Sequence, residues 1–198
     1  HLERFNAGVV RLHKELDRPR FIEVHRLSEF VERATDVDVV TDLMIHDIDI
    51  VLSLVRSELK YVSAVGASIV TNHVDIANAR LEFEDGAIAN VTASRVSAKR
   101  FRRIRVFADA CYLALNFEDQ QIEISRPGKR PPDGRFAPII NSSIQVEPTP
   151  PLDSELAHFV DCVRKGKQPL VTGSDGLQAL KVAYDVREKI EKSLHSFV

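Results

Sequence analysis

The spacing of apolar positions changes several times along the chain, and each change marks an element. Phe5, Val9, Leu12 and Leu16 recur at helical spacing, with Asn6 placed to cap the helix and Pro19 to stop it. Residues 20–28, RFIEVHRLS, alternate and predict a strand. The helical period returns over 37–56. From Lys60 to Ser125 alternation and β-branched residues dominate, with EDG at 84–86 marking a tight turn between ANARLEF and AIANVTAS. Further strands are expected at 101–108, 111–117 and 121–125. Residues 127–151 hold seven of the nine prolines and predict a long irregular loop. Leu152, Leu156, Phe159, Val160 and Val163 then form one apolar stripe ended by Gly166, and a last helix runs from Ser174 through Leu177, Leu180, Tyr184 and Ile190. Strands in succession, with helices grouped at the ends, predict an α+β fold. The expectation is a single domain over 1–198, with a large, predominantly antiparallel or mixed sheet and helices on one face.

The helix over 37–56 is apolar on nearly every side, yet its middle reads DLMIHDID from Asp42 to Asp49. With Asp42 at 0°, His46 falls at roughly 40°, Asp49 at roughly −20° and Asp38 at roughly −40°, one narrow polar stripe. Asp47, at roughly 140°, stands apart and is expected to be solvated or capping. Unpaired carboxylates are expensive to bury, so the stripe has to face a partner or a wet cleft. Two readings fit: a core histidine held by Asp42, or an acid–base pair in which Asp42 orients the His46 ring. A metal site is a weaker third, because His13, His25 and His73 are scattered and no second histidine lies one turn from His46.

Composition removes several classes. A net charge of −2 and 28% charged residues give no basic field for nucleic acid. No apolar run reaches the roughly 20 residues of a membrane span. Cys111 and Cys162 are too few for a disulfide framework and fit a reducing, cytoplasmic setting. The chain opens on His1 and its only methionine is Met44, so a longer parent protein is expected.

Asp42-Leu43-Met44-Ile45-His46-Asp47-Ile48-Asp49 resembles the D-x-G-x-H-x-I-D signature of the Gfo/Idh/MocA family (glucose–fructose oxidoreductase, inositol dehydrogenase, rhizopine catabolism). HLERFNAG at the start is similar to the GH-x-x-RFNP segment that leads out of that family's nucleotide-binding domain. The closing ELAHFVDCVRKGKQPLVTGSDGLQALKVAYDV resembles its C-terminal helical pair. Met44 replaces the usual glycine and Ala7 the usual proline. The resemblance implies the C-terminal substrate and assembly domain of an NAD(P)-dependent dehydrogenase acting on a sugar or nucleotide sugar. It implies His46 and Asp42 as catalytic residues, and Arg4, Asn6 and Asp49 beside the substrate. The sequence has no G-x-G-x-x-G after a strand and no Glu-Lys-Pro, so NAD or NADP and the family's catalytic lysine are expected on an N-terminal Rossmann domain absent here, and the fragment alone is expected to be inactive. The HDIDIVLSLV run and the arginine-rich strand look most like members that oxidise the 3-hydroxyl of UDP-activated amino sugars. Relatives also imply a homodimer or homotetramer through the open sheet face.

AKRFRRIR at 98–105 carries five basic residues. Alternation places Arg103 and Arg105 on one face and Arg102 on the other. These charges guard a strand edge, or Arg103 and Arg105 bind the phosphates of a nucleotide sugar. Two further functions stay open at this level, a non-catalytic binding or assembly module and a metal-dependent hydrolase built on His46-Asp47.

Overall fold

The computed structural model describes residues 1–32, 35–132, 134 and 136–195, the last of these by its backbone only. A single 3-10 turn, Leu2–Phe5, leads into α1 (Ala7–Glu15), whose cap is Asn6: its side-chain oxygen accepts the Gly8 N–H at 3.0 Å. β1 (Pro19–Leu27) follows. A π-helical turn, Val40–Met44, then runs into α2 (Ile45–Val55). Six strands come next: β2 (Leu59–Ala67), β3 (Ile76–Phe83), β4 (Ile88–Ser94), β5 (Phe101–Ala108), β6 (Cys111–Asn116) and β7 (Gln121–Pro127). β8 (Ile139–Gln145), α3 (Pro151–Lys165) and α4 (Gly173–His195) complete the chain.

All eight strands form one sheet in the order β2-β3-β4-β1-β5-β6-β7-β8. Every pairing is antiparallel except β1 with β4. The fold is therefore α+β, as expected, with a mixed and mostly antiparallel sheet. Ile22 and Val24 of β1, Leu81 of β3, Val91 of β4, Ile104 and Val106 of β5 and Leu115 of β6 point to one face and are fully buried. Against that face pack α1, over β6 and β7, α2, over β1 and β4, and α4, over β2. No helix of the described residues is long and apolar enough to cross a membrane.

Two sequence expectations need correction. Residues 127–151 are not all irregular, because β8 pairs with β7 from Gln121↔Gln145 to Pro127↔Ile139. β8 is an edge strand exposed on nearly its whole length, so it carries no in–out alternation for a pattern to detect, and prolines flank it on both sides. The helix over 37–56 is also not uniform: it begins with the π turn, which packs one more residue into each turn than an α-helix does.

Candidate active site

The site is built around α2. Asp38 caps its leading turn, accepting the N–H groups of Val40 at 3.0 Å and Thr41 at 2.9 Å, and pairs with Arg187 of α4 at 2.9 Å. Asp47, expected on the solvent side, has no exposed surface. Its carboxylate takes a fork of two bonds from Arg26, at 2.6 and 2.8 Å. Arg26 follows Ile22 and Val24 on the core face of β1. Arg102 precedes Ile104 and Val106 on the core face of β5, directly opposite Arg26 in the sheet register. Two guanidinium groups so placed repel unless carboxylates stand between them. Glu3, from the first turn, lies 2.7 Å from Arg102 and 3.6 Å from Arg26, and completes the cluster. Phe117 backs it, its ring 3.9 Å beneath the Arg102 guanidinium. Sequence reasoning missed this cluster, yet its signal was present: Arg26 and Arg102 both fall in the apolar register of a strand.

His46 lies next to this cluster, half-buried, with its ring edge-on to that of His1 at 6.2 Å. Its Nδ1 is buried and has no hydrogen-bond partner among the described residues. Burial pushes its pKa below the ordinary histidine value, and the nearby Arg26 charge pushes the same way; Glu3 and Asp47 oppose them. The balance favours the neutral ring.

Asp42 does not orient that ring. No hydrogen bond joins the two side chains. Asp42 instead lines a cavity of about 400 Å³ with Leu43, Arg26, Arg95, Arg100 and Arg102. The wheel that aligned it with His46 assumed 100° per residue throughout, and the π turn between them breaks that assumption.

A second cavity, of about 430 Å³, opens further along α2, where Arg4 and Asp49 meet at 3.5 Å. Asp49 is 2% exposed and its Oδ2 has no hydrogen-bond partner among the described residues. Burial raises its pKa to about 6 despite Arg4. On the far wall, Asp175 accepts from the Thr172 hydroxyl at 2.6 Å and backbone N–H at 2.7 Å, which holds its pKa below the usual range.

The remaining candidates separate. Asn6 uses its side-chain oxygen as a helix cap. Arg103 and Arg105 lie on the open face of the sheet, paired with Glu123 and Glu23, so the thickness of the sheet parts them from His46. Alternation sorted these arginines correctly, but Arg102 is the one on the histidine's side. Among the described residues no group of three or more His, Cys, Asp or Glu could hold a metal ion. Among the described residues no glycine-rich turn leads from a parallel strand into a helix, the arrangement that cradles the pyrophosphate of a dinucleotide in a Rossmann fold. Cys162, 5% exposed, sits between His158 Nε2 at 3.4 Å and the Gln168 carbonyl at 3.6 Å, and is a packing residue of α3.

Comparison with known proteins gives a consistent result. The sequence profile described as the GFO/IDH/MocA C-terminal domain matches residues 8–113, more than half of the chain. A UDP-N-acetylglucosamine 3-dehydrogenase from Acidithiobacillus ferrooxidans is 30% identical over 195 residues, covering 98% of this chain and 62% of the relative. A solved structure of that enzyme superimposes with a TM-score of 0.89 over 97% of this chain and 61% of its own. A scyllo-inositol 2-dehydrogenase (NAD(+)) from Bacillus subtilis is 30% identical over 164 residues, covering 78% of this chain and 45% of the relative. The chain thus spans less than two thirds of the length of these relatives.

Proposed function

The chain belongs to the GFO/IDH/MocA C-terminal domain family, and from that premise we propose that it forms the substrate side of an NAD(P)-dependent dehydrogenase oxidising a hydroxyl of a nucleotide-activated amino sugar. Members of the family use NAD or NADP, held here by residues outside this chain. Oxidation of an alcohol takes a hydride from carbon and a proton from oxygen, and this chain's part is the proton. The observation that carries the reading is His46: a half-buried imidazole whose Nδ1 has no hydrogen-bond partner among the described residues, with its pKa pushed down by burial, on the helix that also supplies Asp42 and Asp49 to the two cavities. In this reading the neutral ring accepts the hydroxyl proton in the forward direction and returns it in reverse.

Positioning falls to the buried cluster. Asp47 anchors α2 to β1 through Arg26, which fixes the face that His46 presents. Asp42, on one cavity wall, and the Arg4–Asp49 pair, on the other, supply acceptors and donors for sugar hydroxyls. A second copy of the chain is proposed to cover the open face of the sheet.

The test is His46→Ala in the intact enzyme. A lost acid–base group lowers kcat by roughly 10²- to 10⁴-fold. Melting temperature and substrate KM should change little, because His46 has no hydrogen bond to lose on Nδ1. An unchanged kcat would remove His46 from the chemistry and favour a binding or assembly role for the domain.

A further inference from the structure

We propose that the apolar stripe of α3 is the docking surface for the polypeptide expected ahead of His1. The proposal rests on the family membership of the chain and not on the chemistry of His46. α3 is amphipathic in the wrong sense for this chain alone. Leu152, Leu156, Phe159, Val160 and Val163 share one face of the helix and are between 44% and 68% exposed. The face turned to the Leu2–Phe5 turn is built instead from Ser154, Glu155, His158 and Cys162. A surface helix normally turns its apolar stripe to the core and its polar side to water. A contiguous apolar face left open marks an interaction site.

The helix is not free to roll its stripe inward. His158 Nε2 accepts the Leu170 N–H at 2.9 Å, and its ring lies 5.3 Å from that of Phe5. The Cys162 thiol donates to the Gln168 carbonyl at 3.6 Å, below the left-handed turn at Gly166. Rolling α3 would break these contacts, so the stripe stays outward and its cover has to come from elsewhere. The start of the chain says from where. The His1 backbone nitrogen lies 3.3 Å from the Glu155 carboxylate, and the His1 ring faces Gly176 in the first turn of α4. A residue ahead of His1 therefore enters beside α3. More than a third of the Acidithiobacillus ferrooxidans relative lies outside the match to this chain, which is the source of such a cover. Tethering raises the effective concentration of the two surfaces, so a stripe of five side chains suffices where a separate partner needs a larger interface. Docked in this way, α3 is held between the upstream polypeptide and the Leu2–Phe5 turn. That turn carries Glu3 to Arg102 and Arg4 to Asp49, so docking on α3 also clamps two charges of the candidate site.

The measurement is the rate of maleimide labelling of Leu156→Cys, on the stripe, against Lys165→Cys, an exposed position on the opposite side of the same helix. Peptide mass spectrometry separates both from Cys111 and Cys162. In the intact protein Leu156→Cys should label at least about tenfold more slowly than Lys165→Cys, because a covered site reacts only when it opens. In the 198-residue chain the two should label alike at every concentration. Equal rates in the intact protein overturn the proposal. Protection of Leu156→Cys in the 198-residue chain that grows with its concentration assigns the stripe to a second copy and overturns it too. A second variant guards against an effect of the label: Leu156→Gln with Phe159→Gln should lower the melting temperature of the intact protein by at least about 3 °C, and an unmoved melting temperature also counts against docking on α3. Failure of the functional reading is distinguishable, since His46→Ala reports on proton transfer and should leave the labelling rates unchanged.

Discussion

Asp47 shows how one residue holds a site without touching substrate. Its carboxylate is fully buried and faces two arginines, so Asp47→Asn leaves buried positive charge without its counter-ion. Breaking a buried pair in this way costs roughly 3–5 kcal/mol. The same change removes a negative charge that supports protonated His46. The urea midpoint should therefore fall, and the His46 pKa, followed by its ring carbon shift in NMR, should drop below that of the parent; an unmoved histidine pKa would place Asp47 outside its electrostatic reach. Asp49 makes a prediction of opposite sign. In the folded chain it ionises near pH 6, against about 4 when unfolded. Below pH 4 both states hold the proton and nothing is lost. As pH rises through 6 the folded state carries a buried carboxylate that the unfolded chain ionises freely, at a cost of roughly 2–3 kcal/mol. Asp49→Asn mimics the protonated form. Its stability relative to the parent should thus improve by about that amount between pH 4 and pH 7, as read from urea melts at both. Equal differences at the two pH values would show that Asp49 is ionised as easily as in water.

At the scale of elements, legibility follows burial on one side. α1, β1 and β3 to β7 were readable because each puts one face in the core and one toward water, so period alone marks them. β8, exposed on both faces, and the π turn, whose residues follow neither common period, were not. The candidate site suffered most from the second, because the expected Asp42–His46 pairing depended on a helical register that the π turn alters. α3 poses a different case. Its apolar stripe is a real helical face, but Leu156 and Phe159 are each 56% exposed, because α3 packs mainly on the Leu2–Phe5 turn. Leu156→Gln with Phe159→Gln should leave the stability of this chain within about 0.5 kcal/mol, as other surface changes do. Ile190→Ala, on the buried face of α4, should cost roughly 2–5 kcal/mol. Urea melts of the two variants compare them directly, and a large loss from the α3 pair would mean that the stripe is covered in solution.

The whole molecule presents one sheet covered by helices on a single side, which leaves the other side to water or to a second copy. That open face is more polar than the sequence alternation suggested. Arg105–Glu23, Arg103–Glu123 and Arg80–Glu82 cross it as ion pairs. Between them lie apolar islands: Phe21, Phe107 and Tyr112 in ring contact at 5.6 and 5.0 Å, and Tyr61 and Val65, each more than half exposed. A face that mixes aromatic anchors with charges of both signs can match itself across a two-fold axis, the usual symmetry of a homodimer. Light scattering at tens of micromolar should then report a dimer or a larger even assembly. Raising salt should weaken association if the exposed ion pairs exchange partners between copies, and strengthen it if the aromatic cluster dominates. Phe107→Arg sets a third like charge beside Arg103 and Arg105 on that face, so it should yield a monomer with an unchanged circular dichroism spectrum. A parent chain that stays monomeric at these concentrations would show that the open face is solvated, and that assembly, if any, uses another surface.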